Sequence, residues 1–129
     1  NYVYKILNKG LAGRSYDYFY VDKYELIGDY VPSDLPASGL SDIHIVDEVN
    51  NIIYLSEWMS FGRPLTFRIW KIDGNKKTHW VSDEIEGICT KMSLDGSDVV
   101  LSAFRLVDEN AADLRSSMGV VTVRPKFLK

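Results

Sequence analysis

The sequence predicts a mainly β protein: antiparallel strands linked by hairpins and curled into a sandwich or a partly open barrel, with one short helix near 109–118. Three observations carry this. The apolar residues fall in short runs broken by turn residues, which is the strand pattern and not the helical one. An Asp-Gly pair occurs twice, at 73–74 and 95–96, each time between β-rich runs. Asp-Gly favours primed hairpin turns because glycine reaches positive φ without steric cost. Finally, the chain has 129 residues, 46% hydrophobic and 26% charged. That length fits a single domain spanning 1–129, and it buries roughly two-thirds of the unfolded surface without needing a disulfide or metal. The alternative architecture is α+β, a twisted antiparallel sheet with the helix packed on it.

The elements follow in order. Tyr2 to Leu7, "YVYKIL", is a first strand, and the two glycines of "NKGLAGRS" make the next stretch a loop. Tyr16 to Val21 and Tyr24 to Val31 are rich in aromatic and β-branched residues, so both are expected to be strands. "PSDLPASGLSD" is the longest loop, because proline cannot donate to a ladder. Three hairpins come next. Ile43–Val46 and Ile52–Ser56 flank "DEVNN", where Asn-Asn tolerates a left-handed backbone. Leu65–Ile72 and Lys76–Val81 flank "DGN", with Asp73-Gly74 making the turn. Glu86–Ser93 and Val99–Leu106 flank "LDGSD". Glu109 to Met118 is expected to be helical, capped by Asp108 and ended by Gly119. Val120 to Arg124 is a last strand stopped by Pro125, and "RPKFLK" is a basic tail.

The stretch "IEGICTKMSLDGSDVVLSAF" resembles the inner hairpin of a WD-type propeller blade. The resemblance covers that hairpin alone. A propeller requires about 40 residues per blade and at least four blades, and the Gly-His and Trp-Asp pairs are missing.

Charge and cysteine content bound the chemistry. The net charge of −3 gives no general attraction to nucleic acid phosphates. Between Asp83 and Asp113 lie eight acids (Asp83, Glu84, Glu86, Asp95, Asp98, Asp108, Glu109 and Asp113) against two bases, Lys91 and Arg105. Such a segment either faces a basic partner or is a solvated surface. A lone Cys89 excludes an internal disulfide framework and a multi-cysteine zinc site, and is compatible with a cytoplasmic setting. No apolar run approaches the roughly 20 residues of a membrane helix, and the start lacks the apolar core of a signal peptide.

No residue pattern announces catalysis, a cofactor or a metal. Asp42, His44 and Val46 share one face of a strand, so an Asp could orient the imidazole. His79 stands between Thr78 and Trp80 with no identifiable nucleophile. Cys89, between Ile88 and Thr90, is expected to be a buried apolar group, and a Cys-His pair with either histidine is conceivable. "DGN" and "DGS" stand between strands, so they are not phosphate loops. Trp70 and Trp80 fall on the two arms of one hairpin, and His79, next to Trp80, should point to the face opposite it. Seven of the eight tyrosines lie in the first 30 residues. Tyr16, Tyr18 and Tyr20 alternate along one strand, either as a recognition surface or as cross-strand structural pairs.

These features point to a non-enzymatic protein-binding module. The expectation is a small acidic inhibitor or immunity-type protein that neutralises a basic partner such as a nuclease toxin. Asp83, Glu84, Glu86, Asp95 and Asp98, with Tyr16, Tyr18 and Tyr20, are the expected contacts. Two alternatives stand beside it. One is a small-ligand-binding or enzymatic β-barrel with a site dispersed over His44, His79, Arg68, Arg105 and Tyr54. The other is a carbohydrate-binding module using Trp58, Trp70 and Trp80 as coplanar exposed rings.

Overall fold

The computed structural model describes residues 3–7, 18–22, 32, 34, 40–60, 64–107 and 117–128. Eleven strands run through them: β1 (Val3–Leu7), β2 (Tyr18–Asp22), β3 (Leu40–Asp47), β4 (Ile52–Ser60), β5 (Thr66–Asp73), β6 (Thr78–Ser82), β7 (Ile85–Glu86), β8 (Ile88–Asp95), β9 (Asp98–Leu106), β10 (Met118–Val123) and β11 (Phe127–Leu128). Every pairing is antiparallel. The chain is therefore mainly β, as its short apolar runs predict, and its sheets do not close into a barrel.

β1 and β2 form a two-stranded sheet of their own. The strand expected at Tyr24–Val31 lies outside the described residues. The largest sheet has the order β11-β6-β5-β4-β3, with β7 paired to the start of β5. Its four long strands are a meander in chain order, and all three expected hairpins are present, the third within a separate sheet of order β10-β9-β8. Of the helix expected over 109–118 only the last two residues are described: Ser117 is helical and Met118 already opens β10. The tail read only as basic contributes β11, in which Phe127 pairs with Ser82 of β6.

The main core fills the space between one face of the large sheet and one face of the three-stranded sheet. Ile52 and Tyr54 of β4, Phe67 and Ile69 of β5 and Ile85 of β7 meet Cys89 and Met92 of β8 and Val99, Leu101 and Ala103 of β9. Period-two alternation makes this possible, since each strand sends every second side chain to the same side. The second face of the large sheet is also buried. Ile53 and Leu55 of β4 and Trp70 and Ile72 of β5 are at most 1% exposed. A serine holds the sheet at one point: the Ile69 amide donates to Ser82 Oγ, 2.8 Å away, and Ser82 Oγ donates to the Asp83 carbonyl.

The turns show which residues shape the hairpins. The β8–β9 loop has two residues, Gly96 and Ser97, between the pair Asp95 and Asp98. Gly96 has φ +63°, which is the conformation that a leading glycine supplies in such a turn. The other two loops are built differently. In β5–β6 the positive-φ residue is Lys77 and not Gly74, and in β3–β4 it is Asn51. Each four-residue loop hangs from the aspartate that precedes it. Asp73 Oδ1 accepts the amides of Asn75 and Lys76, and Asp47 accepts the amide and side chain of Asn50. The expected primed Asp-Gly turn at 73–74 is thus replaced by a carboxylate-capped loop. The two loops are joined, since Gly74 N–H donates to the Asn51 carbonyl and Asn51 Nδ2 donates to Asn75 Oδ1.

Candidate functional site

The expected acidic contacts separate into two groups. Asp83, Glu84 and Glu86 are all exposed where β6 ends and β7 begins. Glu86 pairs with Thr66 at the start of β5, and Thr66 Oγ1 donates to Glu84 Oε1 at 2.9 Å. Asp95 and Asp98 flank the turn at the far end of β8, whose eight residues span roughly 26 Å. There Arg124 donates to Asp95 at 2.6 Å and lies 3.9 Å from Asp98, so one cation offsets two acids. Among the described residues, no cation pairs with Asp83, Glu84 or Glu86. Tyr18 and Tyr20 stand in β2 opposite Leu7 and Lys5. The side chains of β2, and Tyr16 altogether, lie outside the described residues.

The residues considered for chemistry are spread over the fold. His44 partners Leu55, and His79 partners Ile72. Both therefore lie on the second face of the large sheet, but β4 and β5 stand between their strands, a separation of roughly 14 Å at normal strand spacing. Asp42, expected beside His44, precedes a register shift between Leu40 and His44, and its side chain lies outside the described residues. His79 Nε2 is 3.0 Å from Asp34 Oδ1, and its ring stacks on Trp70 with centroids 5.5 Å apart. Trp70 opposes Val81 and Trp80 opposes Lys71, so the two tryptophans occupy opposite faces. His79 thus shares a face with Trp70 and points away from Trp80, while Lys71 Nζ lies 5.1 Å from the Trp80 ring centroid.

Glu57 is the functional-looking group that sequence reasoning passed over. It is 8% exposed, yet Arg68 Nε donates to its Oε1 at 2.6 Å and Trp70 Nε1 donates to the same oxygen at 2.8 Å. A buried carboxylate needs such partners, because an unpaired charge there is costly. Only the cross-strand register, Glu57 opposite Arg68, reveals the pairing. The arrangement fixes the rotamers of Arg68 and Trp70 and leaves the carboxylate committed to them.

Tyr54 and Cys89 lie in the core between the sheets. Burial, with the charges of Asp47, Asp98 and Asp73, pushes the Tyr54 phenol up to about 12. Burial pushes the Cys89 thiol up to about 11, partly opposed by a hydrogen bond with the Lys91 backbone. Both are neutral at physiological pH, and a neutral thiol is a poor nucleophile. The histidines lie on the other face of the large sheet, so no Cys-His pair forms with Cys89. Arg105 stands apart from all of these, on β9.

A pocket bounded by Ser41, Ser56, Glu57, Trp58, Phe67 and Cys89 holds about 10 Å³, room for a single water at most. Trp70 is 1% exposed, so the three tryptophans do not form an exposed platform for a sugar. Among the described residues, no three His, Cys, Asp or Glu side chains are placed to hold a metal, and no helix is long and apolar enough to cross a membrane. No family model, curated protein or solved structure matches this chain.

Proposed function

We propose that this chain is a non-enzymatic protein-binding module that engages a basic protein through the acidic corner formed by Asp83, Glu84 and Glu86. The observation that carries the reading is the state of these three carboxylates: exposed, close in sequence, and paired with no cation among the described residues. Exposed carboxylates held in no ion pair act on a cationic surface at long range, which speeds encounter and fixes register. An enzyme that binds phosphate presents such a surface, and an inhibitor of a nuclease toxin fits the description. Among the described residues the space between the sheets is packed with apolar side chains, and a protein that binds through its surface needs no chamber. A cytoplasmic setting suits the single thiol, Cys89.

The test has two stages. Proteins from the source organism that are retained by the immobilised chain are identified by mass spectrometry. Association kinetics are then followed for the wild type and for Asp83→Lys, Glu84→Lys and Glu86→Lys combined. The on-rate should fall by about tenfold or more after reversal, and should fall with added salt. The equivalent change at Asp95 and Asp98 should do less, because Arg124 already offsets them. A partner whose on-rate ignored both salt and the triple reversal would sink the proposal.

A further inference from the structure

Among the described residues, the main strand order of the two sheets that enclose the core ends at four strands, β3, β11, β8 and β10, and three of these edges are protected. β3 carries the register shift between Leu40 and His44 and lies in contact with β8. β8 carries its own shift between Cys89 and Lys91, with Lys91 exposed. β11 is two residues long and follows Pro125 and the exposed Lys126. Charges, prolines, bulges and brevity are the usual means of stopping an edge from pairing with another chain. β10 has such devices only beyond its end, at Arg124 and Pro125. Its sequence, MGVVTV, contains no charge and no proline. Its pairing with β9 runs unbroken from Met118 opposite Leu106 to Val123 opposite Leu101. Among the described residues it has a partner on one side only.

The outer face beside this edge is apolar. Ile88, Phe104 and Val120 form one row across β8, β9 and β10, and Leu106 and Met118 form the next. Phe104 is 37% exposed, Leu106 40% and Val120 65%. The row ends at the edge with its most exposed member.

We infer that β10 is the seam of a homodimer, in which a second copy of this chain adds its own β10 antiparallel across a two-fold axis through Val120. A two-fold axis normal to a sheet keeps outer faces together, so residues opposite each other must have the same parity. With the axis at Val120, Met118 faces Thr122 of the second copy and Val120 faces its own mate. The row Ile88–Phe104–Val120 then runs on through Val120, Phe104 and Ile88 of the other chain. Such cross-strand apolar pairs stabilise a seam. Charge argues for a second copy over the basic partner proposed above. The chain carries −3 overall, so copies repel wherever acids meet, but β10 brings no charge to the seam. A cationic partner gains nothing from that strand. This inference stands apart from the acidic corner, and either can fail alone.

Sedimentation across a range of concentration reads the result. The wild type should pass from the mass of one chain to that of two. Val120→Lys sets like charges face to face on the axis and should weaken the association by about tenfold or more. Thr122→Lys, two residues along on the same face, should also weaken it. Val120→Cys should give a covalent dimer on mild oxidation, because directly opposed residues lie roughly 4.5–5.5 Å apart, within disulfide reach. Val49→Cys, at a turn residue 91% exposed, is the control. Circular dichroism confirms that each variant remains folded. A single-chain mass at every concentration, an assembly larger than two, or no cross-link beyond the Val49→Cys level would overturn the inference.

Discussion

The large sheet and the three-stranded sheet are made of similar residues but live in different surroundings. β4 and β5 are buried on both faces, with Ile52 and Tyr54 turned to the shared core and Ile53 and Leu55 turned the other way. β9 is buried on one face only. Val99, Leu101 and Ala103 are at most 4% exposed, whereas Phe104 and Leu106 are 37% and 40% exposed. Strands covered on both sides lose apolar area from water twice per length of ladder, so they carry more stability than a strand covered once. The large sheet is thus the scaffold, and the small sheet is where apolar surface remains available for another chain.

The contrast breaks most directly at one aromatic residue in each sheet. Trp70→Ala removes a side chain that is 1% exposed and leaves the Glu57 carboxylate without the indole donor. A loss of about 3–5 kcal/mol is expected from urea unfolding. Phe104→Ala, on the open face of β9, should cost about 1 kcal/mol or less. Equal losses would mean that the outer face of the small sheet is as well covered as the core.

Gly87 tests the joint between the two sheets. It sits between β7 of the large sheet and β8 of the small one, with φ +111°, and its amide donates to the Leu65 carbonyl at 2.7 Å. A Cβ there would fall 2.6 Å from the Phe104 carbonyl oxygen and 2.8 Å from Arg105 Cβ. Backbone strain and the clash act together, so Gly87→Ala should cost about 3 kcal/mol. Gly96→Ala is the comparison. It shares the positive φ but has open space around it, so it should lose only about 1 kcal/mol in the same unfolding experiment. If the two substitutions cost the same, the close approach of Gly87 to β9 does not matter.

The same division explains what could be read from the sequence. Hairpin existence was legible because alternation and turn residues are local, and Gly96 supplies a positive φ, though as the first residue of a Gly-Ser turn and not as the second of an Asp-Gly one. Gly74 does not, because the Asp73 carboxylate captures two amides and moves the left-handed residue on to Lys77. β11 was missed because two residues carry no periodicity and its ladder exists only through β6. The acids from Asp83 to Asp98 are neighbours in sequence, yet β8 carries them to opposite ends of the sheet. Glu57 was illegible for a similar reason, since its partners lie on a neighbouring strand whose register is fixed by the whole meander.

Alkaline unfolding sharpens the comparison with one titrating group from each side of the core, Tyr54 on the large sheet and Cys89 on the small. Cys89 has an ordinary value of 9.0 and rises to about 11 in the folded chain, and Tyr54 rises from 10.0 to about 12. Each group keeps its proton in the folded chain over a range where the unfolded chain has released it. The stabilisation is therefore fully present below about pH 9 and is lost as pH rises to about 12. The loss should be about 3 kcal/mol for each group. Cys89→Ala removes the lower window, so the decline in urea midpoint should then begin about one pH unit higher and be roughly half as deep. Tyr54→Phe should leave the lower window intact and remove the upper one. A midpoint that stays flat to about pH 12, or that falls equally in both variants, would show that the two groups do not share the dry core between the sheets.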